Sequence, residues 1–398
     1  MQYDQYQTVF ALSSLANWVG TRTGIAPALQ SDYQRMLLDT LKSAPAQQKI
    51  GTWELAWGPQ VWQGQHSDLS DNAMFVAKCA DMPGFSTAVY VVAICATNPK
   101  SPYDWLVEDF DVASVVDFAT YDPLASAAPT RASKPIPQDA AVISMGTALG
   151  VWHLLTMVSP DTAMAPKTTL CSFLQSNASN GATVIFAGHS LGGALSPTTA
   201  AWLKQAGKLD GYNAVYCYPT AGATPGNAAF ASLYAQLLPP TPANGYQAWN
   251  RDMWNTLDAV PHAWVIAMLR QIKTLYDNKP ISDVDLAVNA AIVQAWASGV
   301  AYTQIANQPL AGTPSGSPPT DLKTFLQQVA FQHTKAYEAL IANWLQPVFP
   351  PGATPQTLPL DADALLDALV ARIEAKGAEW EKLEADAIAA LARAETSA

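Results

Sequence analysis

Residues 182–205 read ATVIFAGHSLGGALSPTTAAWLKQ. A run of strand-forming residues ends at a serine walled by glycines, and a helical pattern begins at once. Gly188 and Gly192 stand two positions before and after Ser190. A strand can turn into a helix this sharply only if those positions carry almost no side chain, and Gly193 lets the helix close on the strand. The stretch therefore commits the chain to a strand–turn–helix unit with the serine strained at its apex. Ser190 is the candidate nucleophile. The amide of Leu191, first in the new helix, is a candidate oxyanion donor, because early helix N–H groups are unpaired and the dipole is positive there. The competing reading is a glycine turn holding a solvated serine. A serine alone attacks nothing, so partners elsewhere in the chain must separate the two.

The rest of the chain supplies an α/β frame. TWELAWGPQVW, NAMFVAKCA and TAVYVVAICAT read as strands, the last two joined by the turn-like DMPGF. Residues 121–139 form a proline- and alanine-rich connection. Helical patterns at 140–158 and 165–177 precede the strand ending at Ser190, and NAVYCYP and the short YQAWN follow as strands. Strands alternating with helices imply crossovers and a largely parallel sheet. Residues 262–300 read as helical, 308–320 as a flexible loop and 321–345 as helical again. After the proline-rich QPVFPPGATPQTLP, Leu366, Leu369, Ile373, Trp380, Leu383 and Leu391 share one face of a C-terminal helix. The expected division is one α/β domain over 1–345, with a helical insertion at about 262–320, and a linker plus amphipathic helix over 346–398.

Composition narrows what such a frame acts on. With 398 residues, 49% hydrophobic and 13% charged, the chain can bury a large core. Its net charge of −11 argues against nucleic acid and against electrostatic attraction to anionic lipid. No apolar run approaches the length of a membrane span. No leader pattern opens the sequence, and Cys79, Cys95, Cys171 and Cys217 sit in apolar contexts without metal-type spacing. Buried free thiols and a cytoplasmic rather than secreted location are the expectation.

The motif GHSLGGA resembles the nucleophile segment of the fungal-type (class three) lipases, a branch of the α/β-hydrolase superfamily. The resemblance spans about residues 72–345 and implies a mostly parallel central sheet flanked by helices, with the order Ser, Asp, His. The acid of that family follows a strand in a segment resembling Asp-x-Val-Pro. WNTLDAVPHAW makes Asp258 the candidate, with Asp252 as the fallback. Among the five histidines, His333 in FQHTKAYEAL resembles the family's C-terminal histidine segment, with a tyrosine four positions on. His189 belongs to the elbow itself and points away from the nucleophile's face in the family pattern. His262 resembles a non-catalytic position, His153 sits in an apolar helix, and His66 precedes the serine. The second oxyanion donor of the family comes from the end of the strand VYVVAICATN, here Thr97, with Ala96 where the family carries glycine. NPKSPYDWLVEDFDV resembles the family's lid, so Trp105 and Leu106 are expected to cover an apolar acyl pocket. Asn227 and Phe230 match a later segment and read as structural.

The implied chemistry is hydrolysis of an apolar carboxylic ester, a glyceride or related lipid, through an acyl-enzyme on Ser190, with His333 as base and Asp258 orienting it. It calls for no metal or cofactor, and for transient contact with a lipid interface at most. Phospholipase A1 or polyester hydrolase activity on the same triad is an alternative, as is acyl transfer to an alcohol. An alternative of another class is a non-catalytic lipid-binding or interaction protein on a hydrolase fold.

Overall fold

The computed structural model describes residues 2–64, 67–96, 111–178 and 181–342, together with 367, 370–371, 373–377, 379–383 and 385 near the C-terminus. Strands β1 (Glu54–Trp62), β2 (Asn72–Cys79) and β3 (Val89–Ile94) form the antiparallel side of a seven-stranded sheet. Beyond β3 the order continues through β6 (Thr183–His189), β7 (Ala214–Thr220), β8 (Asp252–Asn255) and β9 (Asn307–Leu310), all paired in parallel. Strands β4 (Val115–Asp117) and β5 (Val142–Ser144) make a separate antiparallel pair.

The central strands are apolar on both faces because each face meets helices. In β3, Val89, Val91 and Ala93 point to one side and Tyr90, Val92 and Ile94 to the other; β6 repeats this with Ile185 and Ala187 against Val184 and Phe186. Period-two alternation therefore sorts residues between two cores and not between core and water. Each such aliphatic or aromatic side chain contributes about 1.5–3 kcal/mol on burial. Helices α1 (Gln5–Ala16), α2 (Ala26–Lys42) and α3 (Ala44–Ile50) cover the first face. The second is covered by α4 (Met145–Thr156), α5 (Leu170–Asn177), α6 (Leu191–Gln205) and α7 (Ala228–Leu237). α1 starts on a capping box, the Asp4 carboxylate accepting from the Tyr6 and Gln7 amides while Gln7 reaches back to the Asp4 amide. Asn227 caps α7 and also ties Val142 N–H and Ala140 C=O, the structural role expected of it.

A third core joins α8 (Ile266–Ile272), α9 (Ser282–Ala297) and α10 (Leu322–His333). Ile373 and Trp380 of the C-terminal helical stretch are buried in it, so that stretch docks on its own chain. Three local readings change. Val142–Ser144 is a strand leading into α4, and a short strand begins at Asp252 beyond YQAWN. The expected loop at 308–320 opens with β9, which adds a parallel strand beside β8. NQPL carries neither alternation nor a β-rich composition, so only its partner makes it a strand. All four cysteines are free and buried. No described helix is long and apolar enough to cross a membrane.

Candidate active site

The elbow has the backbone its sequence requires. Ser190 sits at φ 61°, ψ −121° between the last residue of β6 and the first of α6. A side chain on Gly188 would lie 2.3 Å from the Gly192 carbonyl oxygen, and one on Gly192 would lie 2.4 Å from that of Ile94. A Cβ on Gly193 would meet the Thr220 carbonyl oxygen at 2.4 Å. Each obstacle is backbone, which cannot swing aside. The Ser190 amide donates to the Thr220 carbonyl at 3.0 Å, fixing the turn against β7. The strained serine thus stands at the C-terminal edge of the parallel strands, with the first amides of α6 beneath it.

Two distant segments reach this apex. His333, the last residue of α10, brings Nε2 to 2.8 Å from Ser190 Oγ. Its Nδ1–H donates to Asp258 Oδ2 at 2.8 Å. Because the carboxylate only accepts, Nδ1 carries the proton and a neutral ring leaves Nε2 free to accept from the serine. Asp258 lies beyond β8 and is wholly buried, Ser190 is 7% exposed and His333 5%. The buried carboxylate is fully engaged: Tyr337 also donates to Oδ2 at 2.8 Å, and Val260 N–H to Oδ1 at 3.0 Å. The Tyr337 hydroxyl in turn accepts from Asn255 N–H at 2.9 Å. Asn255 Nδ2 reaches the Gln332 side chain and carbonyl at 2.7 and 3.0 Å, which ties the acid segment to the turn of helix bearing His333.

The other candidate carboxylate and histidines have different partners. Asp252, on β8, accepts from Gly222 N–H at 3.2 Å; burial, outweighing that bond and reinforced by Asp258, pushes it up to about 8. His262 donates Nδ1–H to the Asp258 carbonyl and is held neutral by burial. His153 stacks on Trp62 at 3.6 Å, far along α4, and burial brings it down to about 4. His66 lies outside the described residues. The His189 ring runs to the backbone carbonyl of His333, a link with no signal in the sequence.

The geometry brings together Ser190, Asp258 and His333, and sets the Leu191 amide at the helix start. Thr97, Trp105 and Leu106, the expected second oxyanion donor and lid residues, lie outside the described residues. Ala96, just before them, donates its N–H to Asn17 Oδ1 at 2.8 Å, so the end of β3 is pinned to the C-terminus of α1. Tyr337 could be found in the sequence by its spacing from His333. The Asn255–Gln332 and His189–His333 links leave no local signal.

A doubly covered, mostly parallel sheet with a nucleophile elbow and a connected Ser–His–Asp chain defines a serine hydrolase of the α/β-hydrolase superfamily. The family model for Lipase (class 3) matches residues 134–268. M37 lipase is similar over 92% of this chain and 99% of its own, with 27% identity and a TM-score of 0.71. Lipase II from Rhizopus niveus (15% identity, 66% of this chain and 76% of its own, TM-score 0.40) and the lipase from Rhizopus microsporus var. chinensis (15%, 65% and 69%, 0.36) are more distant. No curated protein matches the sequence. The chain is similar to the class 3 lipases over residues 134–268 and is a serine ester hydrolase of lipase type. The matched segment holds Ser190 and Asp258 but ends before His333.

Proposed function

We propose that Ser190, His333 and Asp258 are the nucleophile, base and acid of this ester hydrolase, and that its substrates are neutral glycerides or related apolar esters. The carrying observation is the unbroken chain of two 2.8 Å contacts from Ser190 Oγ to Asp258 Oδ2, built on a serine held at positive φ. In the first step Oγ forms a bond to the ester carbonyl carbon while its proton passes to His333 Nε2. The carbonyl electron pair moves onto oxygen, where the Leu191 amide and Thr97 are the proposed donors. The intermediate collapses, the alkoxide leaves with the proton from Nε2, and Ser190 is acylated. Water then gives His333 Nε2 a proton and attacks the acyl carbon; the C–Oγ bond breaks, Nε2 returns that proton to Oγ, and the acid leaves a free serine and a neutral ring. Asp258 stays ionised and holds the ring in the tautomer both steps need.

The net charge of −11 favours neutral esters over anionic phospholipids and favours apolar, not ionic, contact with a lipid interface. The four buried thiols are in keeping with a reducing compartment. The test is a p-nitrophenyl ester series over chain lengths, with tributyrin and phosphatidylcholine beside it, on the parent, Ser190→Ala and His333→Ala. Both variants are expected to lose about 10⁴-fold or more in kcat/KM. An inactive parent, or variants at the parent's rate, would overturn the reading. Preference for phosphatidylcholine would replace glycerides with phospholipids on the same triad.

A further inference from the structure

We propose that His189, the residue before the nucleophile, is a positioning residue for the base: its imidazole holds the main-chain carbonyl of His333 and thereby sets the His333 ring against Ser190. The inference rests on the triad reading above and adds a member to it.

The need for such a residue follows from where the base sits. His333 ends α10, and the carbonyls of a last helical turn have no N–H ahead of them. The backbone leaves the helix at Thr334 (φ −123°, ψ −83°), so the following amides turn elsewhere: Thr334 N–H to Phe331 and Tyr337 N–H to Thr334. His333 is buried, and a buried carbonyl without a donor costs about 1–3 kcal/mol. His189 supplies the donor, with Nε2 2.7 Å from that oxygen.

The tautomer is fixed by the partners. A carbonyl only accepts, so Nε2 carries the proton; Nδ1 of the neutral ring then accepts from the Thr220 hydroxyl at 2.9 Å. The same Thr220 accepts the Ser190 amide on its carbonyl at 3.0 Å. One residue of β7 therefore fixes the nucleophile's backbone and, through His189, the base's backbone. The His333 carbonyl and ring share one α-carbon, so a shift of that carbonyl tilts the ring away from Oγ. The two rings lie 4.9 Å apart, and the Tyr337 ring lies 5.0 Å from that of His189. During catalysis His333 becomes an imidazolium, and a second charge at that distance would oppose it. Burial, aided by the charge of His333, holds His189 down to about 3, so the ring remains a neutral clamp.

The test compares His189→Leu, which removes the donor, with His189→Gln, whose amide carries an N–H at nearly the reach of Nε2. On a soluble short-chain p-nitrophenyl ester, Leu should lower kcat by about 10²-fold with little change in KM, the size expected when a reacting group is misplaced by an ångström. Gln should recover at least about tenfold of that loss. In proton NMR the downfield His333 Nδ1–H resonance should shift in the Leu variant and return in the Gln variant. A folded Leu variant with parental kcat, or a Gln variant as slow as Leu, would overturn the proposal. Should the Leu variant fail to fold, Thr220→Val tests the same device by freeing Nδ1. A roughly fivefold or greater fall in kcat at unchanged KM supports the clamp, and parental kcat overturns it. Ser190→Ala separates the two readings. If it keeps the parent's rate, the triad itself falls; if it is inactive while His189→Leu is not impaired, only the clamp falls.

Discussion

Replacing Asp252 by asparagine should make the protein's stability less sensitive to pH without slowing catalysis. The folded carboxyl holds its proton up to about pH 8, because burial penalises the charge and Asp258 adds to the penalty, whereas the ordinary value is 3.8. Between those values the unfolded chain releases a proton that the folded chain keeps. Stability is then fully present below about pH 4 and falls as pH rises, by up to about 1.4 kcal/mol per pH unit, levelling off near pH 8. From pH 5 to 7 this single group removes roughly 3 kcal/mol. Asparagine keeps an oxygen for Gly222 N–H but does not titrate, so the parent-minus-variant difference should be flat at low pH and drop across that window. Urea unfolding of both proteins at pH 5, 6, 7 and 8, with ester hydrolysis measured in parallel, reads both parts. A difference curve flat across the window would refute the protonated carboxyl. A loss in kcat comparable to that of Asp258→Asn would refute the choice of Asp258 over Asp252.

Asp258→Asn itself should lower kcat about 10⁴-fold, because an amide in place of Oδ2 no longer fixes the His333 tautomer; steady-state kinetics on a short-chain ester checks this. Tyr337→Phe should cost about 2 kcal/mol in urea unfolding, since it removes a bond to the carboxylate and leaves Asn255 N–H buried without its acceptor. Gly192→Ala should destabilise by about 3 kcal/mol, its Cβ driven against the Ile94 carbonyl at the end of β3, and thermal unfolding would register the loss. On the acid side, His189 is held neutral to about pH 3, so the unfolded chain takes up a proton that the folded chain refuses once pH falls below 6.5. That stability is fully present above pH 6.5 and declines as pH falls toward 3. His189→Gln should lose this slope in a denaturation series from pH 7 to 4.

The elbow was legible because its constraint is local. Gly188, Ser190, Gly192 and Gly193 lie within six residues of one turn, and the collisions that demand glycine occur inside it or against the strands beside it. Asp258 was legible through the Asp-x-Val-Pro pattern, in which Val260 N–H caps the carboxylate two residues back. His333 was reached through the tyrosine four positions on, and the structure gives that spacing its physical content: both side chains meet on Asp258 Oδ2. Asp252 illustrates the limit. Six residues from Asp258 and of the same chemistry, it differs in having no histidine before it and in being buried enough to keep its proton.

The sequence by itself determined the strained strand–helix turn and the two apolar faces of the central strands, because both follow from sterics and alternation over a few neighbouring residues. The tertiary structure decided the rest. It set β9 in the sheet through pairing with β8, and it joined residues 143 and 75 positions apart into one hydrogen-bonded chain. It also turned His189 from a motif filler into the partner of the His333 carbonyl. Donors and acceptors pair with whatever the fold carries to within about 3 Å, and no local pattern in the chain records which carbonyl that will be.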